Sequence, residues 1–185
     1  TANDDISDID EDQTLSLSHS YLLSNDTDPD NALEDFEIQS VSNADPIGST
    51  LVFNASNIEF TPPENYFGQA SYEYVMSDGE LTDTGLVTIT VNPVNDAPEA
   101  VDDQGSTDED TAYYVLKTTL LSNDSDIDGD AISISEVANP INGTVTIDGE
   151  NVVFTPNENY FGSASFDYSI TDGSLTDTAT VYLTI

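Results

Sequence analysis

Residues 154–185 read FTPNENYFGSASFDYSITDGSLTDTATVYLTI, and residues 60–91 read FTPPENYFGQASYEYVMSDGELTDTGLVTITV. The stretches align without a gap, 94 positions apart. In the later copy Phe166, Tyr168 and Ile170 alternate with Asp167 and Ser169. Alternation at period 2 in β-branched and aromatic residues reads as a half-buried strand. Asp172-Gly173 interrupts it with a turn signal, and a further alternating run over residues 177–185 closes the copy. A unit met twice at a fixed spacing marks a repeat protein.

Outward from these stretches the duplication continues. DDISDIDED at 4–12 matches DDQGSTDED at 102–110, and LLSNDTD at 22–28 matches LLSNDSD at 120–126, now 98 positions apart. The first copy therefore carries four extra residues between Asp26 and Phe60. In the second copy residues 111–116, 131–137, 143–148, 151–155, 163–171 and 177–185 read as strands, with a short one around Val101. Ile132/Ile134, Val145/Ile147 and Val152/Phe154 carry the alternation, and Asp148-Gly149 marks another turn. About seven short strands per copy and no helical stripe give an all-β chain of two tandem Ig-like, Greek-key β-sandwiches. The expected division is residues 1–92, a linker over 93–99, and residues 100–185. Pro93 and Pro98 flank an Asn-Asp pair in that linker. Such a segment cannot run inside a sheet and is stiffer than a Gly/Ser tether.

The chain has 185 residues, 37 acids, one Lys, no Arg and a formal net charge of -36. Nucleic acid and anionic membrane surfaces are excluded as partners, because both need Lys and Arg. Cysteine is absent, so a disulfide scaffold and thiolate metal sites are excluded, and a stabilising metal must be bound by oxygen. No apolar run reaches the ~20 residues of a membrane span. Residues 1–12 carry no secretion signal, and the chain reads as a segment of a longer one. A catalytic role is not expected: one His, one Lys and no Cys leave few nucleophile–base pairs.

Asp124, Asp126, Asp128 and Asp130 fall at every second position, with Gly129 among them. Two carboxylates 4 Å apart repel by about 1 kcal/mol in water and about 4 kcal/mol near a protein surface. The run resembles the first half of an EF-hand loop. The closing Glu of that loop belongs at Ser135, and Glu136 misses it by one; the flanks are strands. An EF-hand is therefore rejected, while oxygen-rich chemistry suited to Ca²⁺ remains, against a bland reading as a solvated or salt-adapted acidic loop. The first copy repeats the pattern at Asp26, Asp28 and Asp30.

The ordered set NDAPEAVDD, DEDT, LLSNDSDIDGD, FTPNENYFG, YSITDG and TATVYLTI resembles the tandem cadherin-like repeats of giant secreted bacterial adhesins, including RTX-type biofilm adhesins. The resemblance covers both copies. It implies two cadherin-like domains stiffened by Ca²⁺ at their junction, displayed at a bacterial cell surface and supporting adhesion and biofilm formation. Its implied ligands are Glu11, with Asp12 beside it, and Glu64 from the first copy, and Asn95 and Asp96 from the linker. The second copy supplies Asp126 and Asp128, flanked by Asp124 and Asp130, and Asp172. Asp26, Asp28, Asp30 and Asp78 form half of a site completed by a preceding repeat, while Glu109 and Glu158 await a following one. The linker NPVNDAP lacks the first Asp and one Asn of the animal cadherin motif, which leaves the number of ions open. Implied partners are neighbouring repeats of the same chain, and host or biofilm glycans or proteins.

His19 and Lys117 occupy the same position of the repeat, either as a tether for a carboxylate or as a polar strand end. The rival function is a Ca²⁺-dependent carbohydrate-binding module. It needs an exposed aromatic platform, for which Tyr113 or Tyr114, joined by Tyr182, are the candidates.

Overall fold

A computed structural model of the chain describes residues 1–29 and 35–185. The chain forms two compact units, Thr1–Val94 and Asn95–Ile185. Each is a β-sandwich of a four-stranded and a three-stranded sheet.

In the first unit β1 (Asp5–Asp10), β3 (Glu37–Asp45), β6 (Gly68–Ser77) and β7 (Thr82–Asn92) form one sheet in the order β1-β7-β6-β3. Strands β2 (Leu15–Ser18), β4 (Thr50–Phe53) and β5 (Asn57–Thr61) form the other, in the order β2-β5-β4. In the second unit β8 (Asp103–Ser106), β10 (Ser133–Ile141), β13 (Ser163–Thr171) and β14 (Thr176–Thr184) form the sheet β10-β13-β14-β8. Strands β9 (Tyr113–Leu116), β11 (Gly143–Asp148) and β12 (Asn151–Pro156) form the sheet β11-β12-β9. The first strand of each unit pairs parallel with its last, β1 with β7 and β8 with β14.

The alternation read from the sequence is realised in the core. Phe166, Tyr168 and Ile170 are buried between the sheets, as are Tyr72 and Tyr74 at the matching positions. Phe60 of β5 stacks on Tyr72 of β6 at 5.9 Å, and Phe154 of β12 on Phe166 of β13 at 5.8 Å. Offset aromatic pairs of this kind join the two layers. Ile147 departs from the pattern: Val145 packs on the core, but Ile147 lies near the hairpin end of edge strand β11 and is exposed.

The strand expected around Val101 starts at Asp103. The strand expected over 131–137 runs from Ser133 to Ile141, carried on by two register shifts against β13. Such bulges are invisible to a period-2 count. One-turn helices α1 (His19–Leu22) and α2 (Lys117–Leu120), too short to show a stripe, follow β2 and β9. The backbone N–H groups of His19 and Lys117 donate to Ser56 and Glu150, so both residues end a strand ladder. Among the described residues neither makes an ion pair. His19 instead stacks on Phe53 at 5.2 Å.

Candidate metal centre

The acidic residues fall into two groups, and the repeat separates them. The first group accepts backbone N–H groups at equivalent places in both units. Asp12 Oδ1 accepts from Asn65 N at 2.9 Å, and Asp110 Oδ1 from Asn159 N at 2.7 Å. These bonds hold the ENYFG turn of each unit, and in the first Glu64 is exposed beside Asn65. Asp4 and Asp102 accept from Leu86 N and Thr180 N, and Asp83 and Asp177 from Ala2 N and Ala100 N. Asp78 Oδ1 accepts from Glu80 N and Leu81 N, as Asp172 Oδ1 does from Ser174 N and Leu175 N. The Leu81 and Glu80 amides hold the Asp78 carboxyl below the usual range.

Asp26 and Asp124 belong to this group and are also tied to a buried tyrosine. The Tyr74 hydroxyl lies 3.3 Å from Asp26 Oδ2 and 3.2 Å from the Asn3 carbonyl, and Asn3 N donates to Asp26 Oδ1 at 2.7 Å. The Tyr168 hydroxyl lies 3.2 Å from Asp124 Oδ1 and 3.0 Å from both Asp103 Oδ2 and the Val101 carbonyl. Val101 N donates to Asp124 Oδ1 at 2.8 Å. Burial raises all four carboxyls of these latches: Asp26, Asp103, Asp124 and Asp5, the last pushed up to about 6. Asp5 and Asp103 escaped the sequence reading. The legible signal was the doublet Asp4-Asp5 and Asp102-Asp103, repeated alongside an unchanged Tyr74/Tyr168.

The second group gathers within the second unit, where linker meets acidic loop. Asp126 Oδ1 accepts from Asp128 N at 3.0 Å and Asp130 N at 3.2 Å, folding the loop around its own carboxylate. Gly129 supports this turn at φ +80°, a backbone region that side chains rarely adopt. Asp128 Oδ2 accepts from Asp96 N at 2.8 Å. Asp96 and Asp128 place carboxylate oxygens within 4.8 Å of each other. Asn95 Nδ2 donates to Asp172 Oδ2 at 2.8 Å, the largest of the causes that lower the Asp172 pKa. The side chain of Asp130 is exposed.

Two oxygens in this group, Asp96 Oδ2 and Asp126 Oδ2, are buried and have no donor. In the first unit Glu11 is buried; its Oε1 accepts from Val94 N at 2.5 Å, and its Oε2 has no donor. A donor set made only of carboxylate and amide oxygens, with lone pairs buried and unmet, fits a hard cation such as Ca²⁺. Asp28 is half-buried in the first unit, and Asp30 lies outside the described residues.

Residues 94–185 match the cadherin-like domain family, and residues 1–90 match the bacterial Ig domain family. Domains EC1-2 of human protocadherin-24 share 12% identity over 85% of this chain and 84% of theirs, at a TM-score of 0.44. An endo-fucoidan hydrolase of glycoside hydrolase family 107 shares 18% identity at a TM-score of 0.38; 98% of this chain is covered, but only 27% of the hydrolase, so the chain spans little more than a quarter of its length. A SusE-like surface polysaccharide-binding protein of Bacteroides thetaiotaomicron shares 13% identity at a TM-score of 0.34, covering 97% of this chain and 32% of that one. No curated protein matches the chain. No helix among the described residues is long and apolar enough to cross a membrane.

Proposed function

Because the chain belongs to the tandem cadherin-like and bacterial Ig-type repeats of adhesin-type proteins, we propose that it is a calcium-binding extender segment of a bacterial surface adhesin. Calcium stiffens the joint between its repeats, and the segment carries the adhesin outward for attachment and biofilm formation. One observation supports the reading above the others: Asp96 of the linker and Asp126 of the loop each bury a carboxylate oxygen with no donor. An unmet buried polar atom costs about 1–3 kcal/mol, more when charged. Cation binding at these oxygens removes that cost.

The proposed ligands are Asn95, Asp96, Asp126, Asp128 and Asp172, joined across the 93–99 linker by Glu11, with Asp12 and Glu64 near it. Asp130 lines the loop, and Asp124 holds it from behind through Tyr168. By the repeat, Asp28, Asp30 and Asp78 are the proposed ligands for a preceding repeat's linker, with Asp26 behind them through Tyr74 as Asp124 is through Tyr168. Calcium suits such a loop better than magnesium, because it accepts six to eight oxygens in loose geometry. Extracellular modules bind Ca²⁺ with constants of about 10⁻⁴–10⁻³ M, so the joint is empty in cytosol and filled outside.

Isothermal titration and small-angle scattering of the whole chain test this. Calcium uptake with measurable heat, and a radius of gyration that differs between calcium and EGTA, are expected. No heat together with identical scattering defeats the proposal.

A further inference from the structure

The outer face of the three-stranded sheet differs between the two units although its register is the same. In the first unit one cross-strand row runs Ser16–Glu59–Val52. Glu59 accepts from Asn54 Nδ2 at 3.2 Å and Asn57 Nδ2 at 3.1 Å, which makes it an ordinary solvated polar row. In the second unit the equivalent row is Tyr114–Val153–Thr146. Leu116 follows on one side and the Thr155–Thr144 pair on the other. Tyr114 is 64% exposed and Leu116 51%. The only acid on these rows is Asp148, at the corner of the hairpin. In a chain with 37 acids among 185 residues, an almost acid-free face centred on an exposed aromatic ring is a local departure.

The size and charge of this face select its occupant. Three strands about 4.8 Å apart and four residues at about 3.3 Å each cover roughly 200 Å². A stable protein interface needs about 800 Å² on each side, so neither a second copy nor a folded partner is held by this face alone. Anionic ligands meet the field of the surrounding carboxylates, which reaches about 8 Å at physiological salt. An uncharged ligand meets no such barrier. Tyr114 offers a flat apolar ring with a polar tip, and Thr144, Thr146 and Thr155 offer hydroxyls that both donate and accept. We propose that the outer face of β9, β12 and β11 in the second unit is a binding platform for uncharged polysaccharide, with one sugar ring stacked on Tyr114 and its neighbours bonded to the threonine hydroxyls. The platform does not depend on the calcium reading.

Tyr182, expected to join this platform, does not. It is exposed on β14 of the other sheet, whose outer face looks away from that of β9. Tyr113 alternates inward and packs on the core. Tyr114 is thus the single ring of the site, and Tyr182→Ala serves as the control.

Affinity electrophoresis of the whole chain through gels containing dextran, soluble starch or hydroxyethyl cellulose, with alginate as the anionic comparison, tests the proposal. At least one neutral polymer is expected to retard the wild type saturably, and alginate is not. Tyr114→Ala should weaken retardation at least tenfold and Tyr114→Phe should keep it. Val153→Glu, which installs the carboxylate of the first unit, should abolish it, and Tyr182→Ala should leave it intact. No retardation by any neutral polymer, or a Tyr114→Ala variant that migrates as wild type, overturns the assignment. Self-association by sedimentation velocity that vanishes in Tyr114→Ala also overturns it, by giving the face to a second copy.

Discussion

Tyr72 and Phe166 fill the same place in the two cores, each stacked on the Phe of the facing sheet. The Tyr72 hydroxyl is buried and finds no partner. Burial also pushes its pKa upward, so the hydroxyl stays protonated. An unmet hydroxyl costs about 1–3 kcal/mol, and the second unit shows that the ring fits without it. Tyr72→Phe is therefore expected to stabilise the first unit by about 1 kcal/mol, read by urea unfolding followed through amide signals of that unit. A loss of stability would show that the hydroxyl has a partner after all. A second pair of residues trades volume between the units. A Cβ on Gly105 would lie 2.6 Å from the Tyr113 hydroxyl, and the matching residues of the first unit are Ser7 and Leu15. Gly105→Ser alone should cost about 1–3 kcal/mol by overpacking. Adding Tyr113→Leu should recover at least half of that loss, and a double-mutant cycle by thermal melting measures the coupling.

At the scale of elements, the strands were legible and their fastenings were not. The long pairs β6–β7 and β13–β14 announce themselves because every second side chain is apolar and the run repeats. The acidic positions look alike in sequence, since an Asp that accepts a neighbouring strand's N–H and an Asp that buries an unmet oxygen are the same letter. Only placement tells Asp102, bonded to Thr180 N, from Asp126, with its buried lone oxygen. The latch of the N-terminal strand carries a pH signature. Asp5 is buried near Asp26 and Tyr74, and burial raises its pKa from 3.8 to about 6. A carboxyl raised in the folded state favours folding when protonated. Its stabilising effect is complete below the unfolded value and lost as pH rises through about 6. His19 works in the opposite direction, because burial lowers its pKa and protonation then favours unfolding. The difference between wild type and Asp5→Asn isolates the Asp5 part. In EGTA, the wild type should gain stability relative to Asp5→Asn as pH falls from 7 to 4. Parallel melting curves across that range would place the Asp5 carboxyl in water.

For the whole molecule, the question is what offsets a net charge of -36. Part of the answer is internal, because many of the carboxylates accept backbone N–H groups. This does not neutralise them, and any monovalent salt should stabilise the chain somewhat by screening. A specific site adds a term that screening cannot mimic. At a concentration 100 times its dissociation constant, a cation that binds only the folded chain contributes about 2.7 kcal/mol. Melting in calcium, magnesium and sodium at one ionic strength separates the two effects, with calcium expected to raise the midpoint most and sodium least. Magnesium falls between, since it demands octahedral geometry and gives up its water reluctantly. Asp96→Asn and Asp126→Asn each replace a carboxylate that buries one unmet oxygen by an amide. Both should be as stable as wild type, or more so, in EGTA, because the charge is gone. In calcium both should lose most of the added stability. A ligand destabilises the apo chain and stabilises the loaded one, so the sign of each variant's effect should reverse between the two conditions. Variants that are less stable by the same amount with and without calcium would mark Asp96 and Asp126 as structural residues and remove the joint from the calcium reading.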